Sequence, residues 1–271
     1  MTDFNAKNVL ITGAASGIGR LMAAKIAAQG GRLILWDVNK GGLEAFGEEL
    51  KKQNYPVSTY VCDLSDRAAI YATAAAVRQA QGAVDVLLNN AGIVSGKALL
   101  DAGDEDIIRT FAVNTLALFW TTRAFLPDML KRNSGHIVTV ASAAGLVGTP
   151  RLIDYCSSKF AAVGYDDALR VELKRQGSNI KTTVVCPYFI NTGMFEGAKT
   201  RFPLLLPILE PEYVADKIIK AIRNNQQRLI MPRFVLATYL VRLLPPVVFD
   251  IIMSFLGVNK SMDEFTGRPG H

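Results

Sequence analysis

The feature that most constrains this chain is an alternation of short apolar runs and longer helical patterns through its first two-thirds. Helical patterns cover about residues 18–29, a polar stretch that ends near residue 53, and residues 67–79, 104–131 and 154–175. The strand candidates between them are Val9–Ile11, Leu33–Trp36, Val57–Val61, Val84–Leu88, His136–Ala141 and Thr182–Val185. Strands joined through helices form βαβ crossovers, which imply a parallel sheet covered on both faces. The pattern predicts an α/β fold with a doubly wound sheet and, since no long linker interrupts it, one domain over residues 1–271.

A glycine-rich turn separates the first predicted strand from the first predicted helix. It reads Thr-Gly-Ala-Ala-Ser-Gly-Ile-Gly over residues 12–19, which is a G-x-x-x-G-x-G spacing. Glycine lets the backbone turn sharply and approach a pyrophosphate, while the helix N-terminus offers N–H groups and a partial positive charge. Many glycine turns bind nothing, but one placed between a strand and a helix is typical of a Rossmann-like dinucleotide site. The residues expected to contact the cofactor here are Gly13, Ser16, Gly17, Ile18 and Gly19.

An aspartate ends the second predicted strand. Asp37 can accept hydrogen bonds from a ribose 2′-hydroxyl and would repel a 2′-phosphate, which favours NAD over NADP. The alternative is a turn or helix-capping aspartate. Lys40 follows closely and keeps NADP open as the less favoured cofactor.

The charge and the metal-binding residues disfavour several other functions. The formal net charge is +6, but the basic residues are scattered as pairs and form no stripe, so no nucleic-acid partner is expected. The three cysteines form no C-x-x-C pair and only two histidines are present, so neither a disulfide framework nor a metal site is expected. The N-terminus opens without a signal-peptide pattern or a hydrophobic anchor, and we expect a cytoplasmic protein.

Several further motifs, in order, resemble those of the short-chain dehydrogenase/reductase family over about residues 7–260. These are the 12–19 turn, the Asn-Asn-Ala-Gly motif at 89–92, the Tyr-x-x-x-Lys pair at 155 and 159, and the Pro-x-x-x-x-Thr segment at 187–192. The resemblance implies a catalytic set of Asn114, Ser142, Tyr155 and Lys159. It implies cofactor contacts from Asp63, Leu64, Asn90, Ala91, Gly92, Pro187 and Thr192, together with Tyr155 and Lys159. Tyr188 stands where the family usually has glycine, which leaves the local backbone path open.

Other stretches resemble one branch of that family, which contains epidermal-type retinol dehydrogenases and lipid-droplet 17-beta-hydroxysteroid dehydrogenases. They are residues 35–37, 137–148, 186–195 and 200–203. The resemblance implies hydride transfer between NAD(H) and a lipophilic alcohol or carbonyl, such as a retinoid, a steroid or a long-chain or aromatic alcohol. It also implies a homodimer or homotetramer paired through the long helices near residues 104–131 and 154–175.

The chemistry expected of the Tyr155–Lys159 pair is proton transfer. The two residues are one helical turn apart, so they share a face. Lowering a tyrosine pKa from about 10 to ~7 requires roughly 4 kcal/mol. We expect the lysine, the cationic nicotinamide ring and an apolar site to supply it, while Ser142 orients the substrate oxygen and Asn114 anchors a water beside Lys159.

Each of these residues also has an ordinary structural explanation, since Tyr-x-x-x-Lys pairs occur by chance on exposed helices and Ser142 could be a helix cap. Two functions compete with the NAD-dependent enzyme. One is a nucleotide-binding scaffold at lipid surfaces without turnover. The other is an NADPH-dependent carbonyl reductase.

Two apolar segments lie beyond Thr192. Residues 193–210 are expected to form a substrate lid, with ordinary core as the alternative. Residues 229–257 are apolar but broken by Arg233, Arg242, two prolines and Asp250, so a spanning helix is not expected. Two short amphipathic helices there could lie peripherally on a membrane or lipid droplet, pack at a dimer interface, or cover the substrate pocket.

Overall fold

The computed structural model describes residues 1–267, and its centre is a parallel sheet with strand order β3-β2-β1-β4-β5-β6-β7. The strands are β1 (Asn8–Thr12), β2 (Arg32–Asp37), β3 (Val57–Val61), β4 (Val86–Asn89), β5 (His136–Val140), β6 (Lys181–Pro187) and β7 (Arg228–Met231). The order reverses between β1 and β4, which makes this a doubly wound, Rossmann-like sheet and confirms the predicted fold class.

Helices cover both faces of the sheet. They are α1 (Gly17–Ala27), α2 (Lys40–Lys52), α3 (Arg67–Gln81), α4 (Asp104–Phe111), α5 (Ala117–Arg132), α6 (Ile153–Arg175), α7 (Pro211–Arg223), α8 (Ala237–Val241) and α9 (Pro246–Phe255). Helices α1, α2 and α7 share one core with one face of the sheet, and α3 and α5 share another with the opposite face. Two-sided burial explains why the strands are continuous apolar runs rather than alternating patterns.

Strand β1 illustrates this arrangement at the centre of the sheet. It pairs with β2 on one side and β4 on the other. Val9 and Ile11 pack into the α1 core, whereas Leu10 between them packs into the opposite core. Because side chains alternate along a strand, consecutive apolar residues fill both layers and fix the register.

The structure departs from the predicted elements at three places. Residues 104–131 are not one helix, because Ala112–Leu116 form a π-helical turn between α4 and α5. Residues 229–231 belong to β7 and are not helical, so the C-terminal helical segment begins only after Pro232. Helix α7 and strand β7 were absent from the sequence prediction and extend the sheet beyond β6. No helix within residues 1–267 has both the length and the apolar character needed to cross a membrane.

Candidate active site

The carboxyl ends of β1 and β4 meet where the strand order reverses, and the glycine-rich turn lies at this point. Gly13 and Gly17 adopt positive φ angles of 65° and 55°, a conformation that favours glycine. A Cβ atom on Gly19 would overlap the carbonyl oxygen of Gly13, so only glycine allows α1 to start this close to the turn. The three glycines thus bring backbone N–H groups to the floor of a cleft lined also by Ser16 and Ile18.

Thr12 and Asn90 tie β1 to the loop after β4. The Thr12 Oγ1 accepts hydrogen bonds from the backbone N–H groups of Asn90 and Ala91 at 3.0 and 3.1 Å. The Asn90 amide donates to the Thr12 carbonyl at 2.9 Å, which fixes both loops at the cleft. The buried Asn90 Oδ1 has no hydrogen-bond donor within residues 1–267.

One end of the cleft contains the two aspartates expected to contact the cofactor. Both oxygens of Asp37 are oriented by backbone amides, with Ala15 and Asn39 donating at 2.9 Å each. Burial opposes ionisation of Asp63, but hydrogen bonds from Ser65 hold the pKa of that carboxyl below its usual value. Leu64 lines the same end of the cleft.

Lys159 and Tyr155 project from α6 toward the carboxyl end of β5. The Lys159 Nζ donates to the Val140 carbonyl at 2.9 Å and lies 5.6 Å from the centre of the Tyr155 ring. Ser142 follows β5, and its hydroxyl donates to the Pro187 carbonyl at 3.4 Å and accepts from the Ala144 N–H at 3.1 Å. All three residues are buried at the cleft, so the structure brings together Ser142, Tyr155 and Lys159.

Burial controls the ionisation of this pair in a way that the sequence analysis got wrong. Burial raises the pKa of Tyr155 well above its ordinary value, although the nearby Ser142 hydroxyl opposes the change. Burial also lowers the pKa of Lys159 to about 8. The apolar site was expected to help lower the pKa of Tyr155, but a low-dielectric environment disfavours the phenolate. The protein alone therefore holds a neutral phenol.

Asn114 lies in the π-helical turn, and hydrogen bonds hold both ends of its side-chain amide in place. Its amide donates to the Ile93 carbonyl at 2.9 Å and to Ser158 Oγ at 3.0 Å, and its oxygen accepts from the Ile93 N–H at 2.9 Å. A Cβ atom on Gly92 would lie 3.3 Å from both Asn114 Oδ1 and Lys159 Nζ. The lysine and the asparagine thus both border the small gap that the missing side chain of Gly92 leaves.

Pro187 to Thr192 complete the opposite wall of the cleft. The Tyr188 N–H donates to the Met231 carbonyl at 2.8 Å, so the chain continues the pairing of β6 with β7 where the family usually has glycine. Thr192 reaches back over the glycine turn, and a Cβ atom on Gly17 would lie 3.7 Å from it. Ala91 and Pro187 line the cleft with these residues.

Aromatic side chains cover the other side of Tyr155. The Phe195 ring stands edge-on to the Tyr155 ring at 5.5 Å and to the Phe189 ring at 5.1 Å. Beside Ser142 and Tyr155 lies a small cavity of about 30 Å³, lined partly by Val258 and Ser261 near the C-terminus. A space of that size suits one water molecule, so the aromatic residues leave no room for a larger molecule there.

Several residues at this site were not predicted from the sequence. Thr12 was noted within the glycine motif but not as the acceptor that orients Asn90. Arg109 and Ile93 line the cleft without belonging to a recognisable motif, and Phe195 was noted only as an apolar residue of the lid. An aromatic residue soon after Thr192 was the one available signal for Phe195. Within residues 1–267, no group of three or more metal-ligating side chains is arranged to hold an ion.

The residues present fit a dinucleotide. A glycine cradle at a helix N-terminus suits the pyrophosphate, Asp37 suits a ribose, and Lys159 faces the gap at Gly92. Tyr155 and Ser142 stand at the end of the cleft near that lysine. Together the fold and the cleft define an oxidoreductase that uses a nicotinamide cofactor.

Comparison with known proteins identifies the family. The sequence model described as short chain dehydrogenase matches residues 7–201, and this chain belongs to that family. It is 46% identical over 269 residues to the Bos taurus short-chain dehydrogenase/reductase family 16C member 6, covering 98% of this chain and 85% of the relative. The Mus musculus epidermal retinol dehydrogenase 2 is 45% identical, covering 96% and 85%. The Mus musculus 17-beta-hydroxysteroid dehydrogenase 13 is 47% identical, covering 84% and 75%.

Solved structures agree on the fold but differ in cofactor. A short-chain dehydrogenase/reductase from Burkholderia phymatum in complex with NAD has a TM-score of 0.82 and 31% identity, covering 94% of this chain and 97% of that one. A metagenomic short-chain oxidoreductase in complex with NADP has a TM-score of 0.71 and 27% identity, covering 85% and 98%. The chain is therefore a short-chain oxidoreductase that binds a nicotinamide cofactor.

Proposed function

We propose that this protein transfers a hydride between NAD(H) and a lipophilic alcohol or carbonyl, of the retinoid or steroid class. The observation that carries the proposal is the position of the Tyr155 phenol, between Lys159 on the cofactor side and the Phe195 ring on the other. The names of the relatives, which include retinol and hydroxysteroid dehydrogenases, support the same substrate class.

The proposed preference for NAD rests on Asp37. Its carboxylate ends β2 and is held in place by two backbone N–H groups, so it cannot easily turn away from a 2′-phosphate. Lys40 is the cation that could favour NADP. Its side chain is exposed, and its Nζ lies 3.9 Å from the Glu44 Oε1 on the same helix. Like charges at close range cost free energy, which disfavours NADP in this position.

The proposed proton transfer uses Tyr155 as the group that exchanges a proton with the substrate oxygen. When bound, the nicotinamide accepts or donates the hydride. In oxidation the Tyr155 phenolate takes the hydroxyl proton, and in reduction the phenol gives it back. Ser142, which lines the same cavity as the phenol, would hold the substrate oxygen in line, and Lys159 would stabilise the phenolate by its charge. Asn114 would position the water through which Lys159 exchanges protons.

The test of the proposal is NADH formation with retinol, estradiol and benzylic and long-chain alcohols, with NADP in parallel. We expect turnover with NAD, and a loss of at least about 10²-fold in Tyr155→Phe. NADH binding by fluorescence should be unchanged in that variant, since only the phenol oxygen is removed. Full activity of Tyr155→Phe, or tighter binding of NADPH than NADH, would overturn the corresponding part of the proposal.

We further propose that residues 193–210 form the substrate lid and that an adjacent apolar surface contacts lipid. Leu243, Val247 and Ile251 on and before α9 are 82%, 70% and 62% exposed. The Phe202 ring of the lid packs against the Phe255 ring of α9 at 5.5 Å, which joins the two surfaces. An exposed apolar patch of this extent beside a lipophilic substrate site suits peripheral contact with a membrane or lipid droplet.

Vesicle co-sedimentation tests the lipid contact. Leu243→Glu should reduce binding to vesicles, because a charge is inserted into the apolar surface. Val61→Glu is the matched control, since Val61 is half-exposed on β3 at the opposite edge of the sheet. Equal binding by the wild type and both variants would contradict the proposal.

A homodimer or homotetramer is also proposed, paired through α5 and α6. Phe119 and Leu116 near the start of α5 and Val171 on α6 are exposed apolar residues that such a contact would bury. Light scattering coupled to size exclusion tests this, and a monomer at all concentrations would refute it.

A further inference from the structure

The last described residues of the chain cross over the proposed substrate site. Residues 258–266, named here the C-terminal strap, begin with a short 3-10 turn after α9. Met262 belongs to the same buried apolar cluster as Tyr155, Leu152 and Cys156. Val258 and Ser261 line the 30 Å³ cavity beside Ser142 and Tyr155. The strap is therefore part of the wall that closes the substrate side of the tyrosine.

The strap is fastened to the lid on one side. The Lys199 N–H donates to the Ser261 carbonyl at 2.9 Å, and the Thr266 N–H donates to the Glu196 carbonyl at 2.9 Å. Lys199 and Glu264 form an exposed ion pair at 2.5 Å. Gly197 has a φ of 83°, and a Cβ atom there would overlap the Glu264 carbonyl, so the lid is shaped to receive the strap.

On the other side, the strap reaches the loop that follows β4. The Phe265 ring lies directly over Gly96, where any Cβ atom would overlap it. The same ring packs against Phe195 at 6.4 Å, and Phe195 in turn stands edge-on to Tyr155. Phe265 thus bridges the loop after β4 and the lid, which form the two rims of the site, and the catalytic tyrosine lies beneath it.

We propose that the C-terminal strap is a gate, and that a lipophilic substrate reaches Tyr155 only when Phe265 leaves Gly96 and the strap lifts away. The cavity between the strap and Tyr155 is about 30 Å³, which is too small for a retinoid or a steroid, so no such substrate fits on that side of the tyrosine while the strap is closed. The polar contacts on the lid side are confined to the Ser261 carbonyl, the Glu196 carbonyl and the exposed Lys199–Glu264 ion pair, and a segment held at so few points suits local opening. The gating of substrate rests on the proposed function, whereas the opening itself does not.

Cysteine labelling measures the opening without any turnover. Cys156 is buried in the cluster covered by the strap, and Cys186 is buried in β6 within the core of the domain. Labelling of each thiol, followed by mass spectrometry of its peptide, separates strap opening at Cys156 from global unfolding at Cys186. Phe265→Ala removes the ring that bridges the rims, and Gly96→Ala displaces it by overlap.

A matched control exists for the backbone strain in Gly96→Ala. Gly177 has the same φ of 68°, but a Cβ atom there would meet nothing within 4 Å. We expect Phe265→Ala and Gly96→Ala to speed Cys156 labelling about tenfold, as loss of a packed aromatic contact allows, with Cys186 unchanged. Gly177→Ala should change neither rate. Unchanged Cys156 labelling, or a parallel rise at both cysteines, would overturn the gate.

Steady-state kinetics with NAD then test the gating of substrate. In Phe265→Ala the KM for retinol should fall about tenfold, while the KM for benzyl alcohol changes little, because the smaller ring needs less opening. Equal changes for both alcohols would overturn the gating role. If the wild type oxidises no alcohol and Cys156 still becomes exposed in the variants, the proposed function fails while the moving strap stands.

Discussion

The Lys159 ammonium lies 5.6 Å from the centre of the Tyr155 ring while it donates to the Val140 carbonyl at 2.9 Å. The lysine is thus positioned by the end of β5 rather than by the tyrosine, and it faces the gap at Gly92. Burial raises the pKa of the phenol and lowers that of the ammonium to about 8, so at neutral pH the phenol is neutral and the lysine still carries its proton. Such a pair is poised to exchange protons once a charged ligand changes the local potential.

The buried ammonium predicts a pH-dependent stability. Because the pKa of Lys159 is about 8 in the fold and 10.5 ordinarily, the unfolded chain binds more protons between these values. Stability contributed at this position therefore rises with pH through that window. Relative to Lys159→Met, the wild type should gain about 2 kcal/mol in unfolding free energy between about pH 7.5 and 9.5. Urea unfolding of both proteins at the two pH values measures this difference. An equal change in unfolding free energy with pH in the two proteins would contradict the burial of the charge.

Much of the fold was accessible from the sequence because two-sided burial makes each strand of this sheet a continuous apolar run. Residues 57–61 and the 12–19 turn were predicted at their observed positions. Strand β7 was missed because its four residues run directly into the apolar segment up to residue 257, where periodicity marks no boundary. The π-helical turn at Asn114 was missed because such turns are rare single-turn insertions within α-helices and have no residue signature of their own.

The residues of the candidate site also fall into two groups, those that local motifs predict and those that only the folded structure brings together. Gly13 could be named from the spacing of the glycine turn, and Asn90 and Lys159 from the resemblance to family motifs, and the structure brings all three to one cleft. The contact of Phe265 with Gly96 and Phe195 joins three distant parts of the chain, and no local pattern encodes it. The raised pKa of Tyr155 likewise depends on burial by residues from the lid and the strap.

Asp37→Asn should weaken the discrimination against NADP. The substitution removes the negative charge and keeps one side-chain oxygen, which can accept from the N–H group of either Ala15 or Asn39 but not from both. We expect the ratio of NADPH to NADH affinity to rise about tenfold or more, as the loss of one close like-charge repulsion predicts. Fluorescence titrations with both cofactors measure it. Asp101→Asn, a change at an exposed position on the loop before α4, is the control, and an equal shift in both variants would refute the role of Asp37.

The buried, neutral ring of His136 should make the fold less stable at acidic pH. Its ring lies between the hydroxyls of Thr2 and Thr183 at 2.9 and 2.8 Å, and burial lowers its pKa to about 4. As the pH falls from 6.5 toward 4, the unfolded chain takes up a proton that the folded chain excludes, so stability decreases, by up to about 3 kcal/mol. In His136→Gln that decrease should be smaller by the same amount. Unfolding curves for both proteins at about pH 7 and pH 4.5 decide the matter, and an identical acid loss would show that other groups cause it.

Two glycine substitutions should have opposite effects on stability. A Cβ atom on Gly19 would overlap the Gly13 carbonyl and the Asn90 amide, so Gly19→Ala must push the start of α1 away from the turn. That should cost about 1–3 kcal/mol and abolish measurable NADH binding, because the N–H groups of the cradle lose their alignment. Gly164 lies within α6, where a Cβ atom would meet nothing within 4 Å. Gly164→Ala should therefore stabilise the protein by about 0.5–1 kcal/mol and leave NADH binding unchanged. Thermal unfolding and NADH fluorescence on both variants test the pair, and NADH binding retained by Gly19→Ala would show that the turn does not form the cofactor cradle.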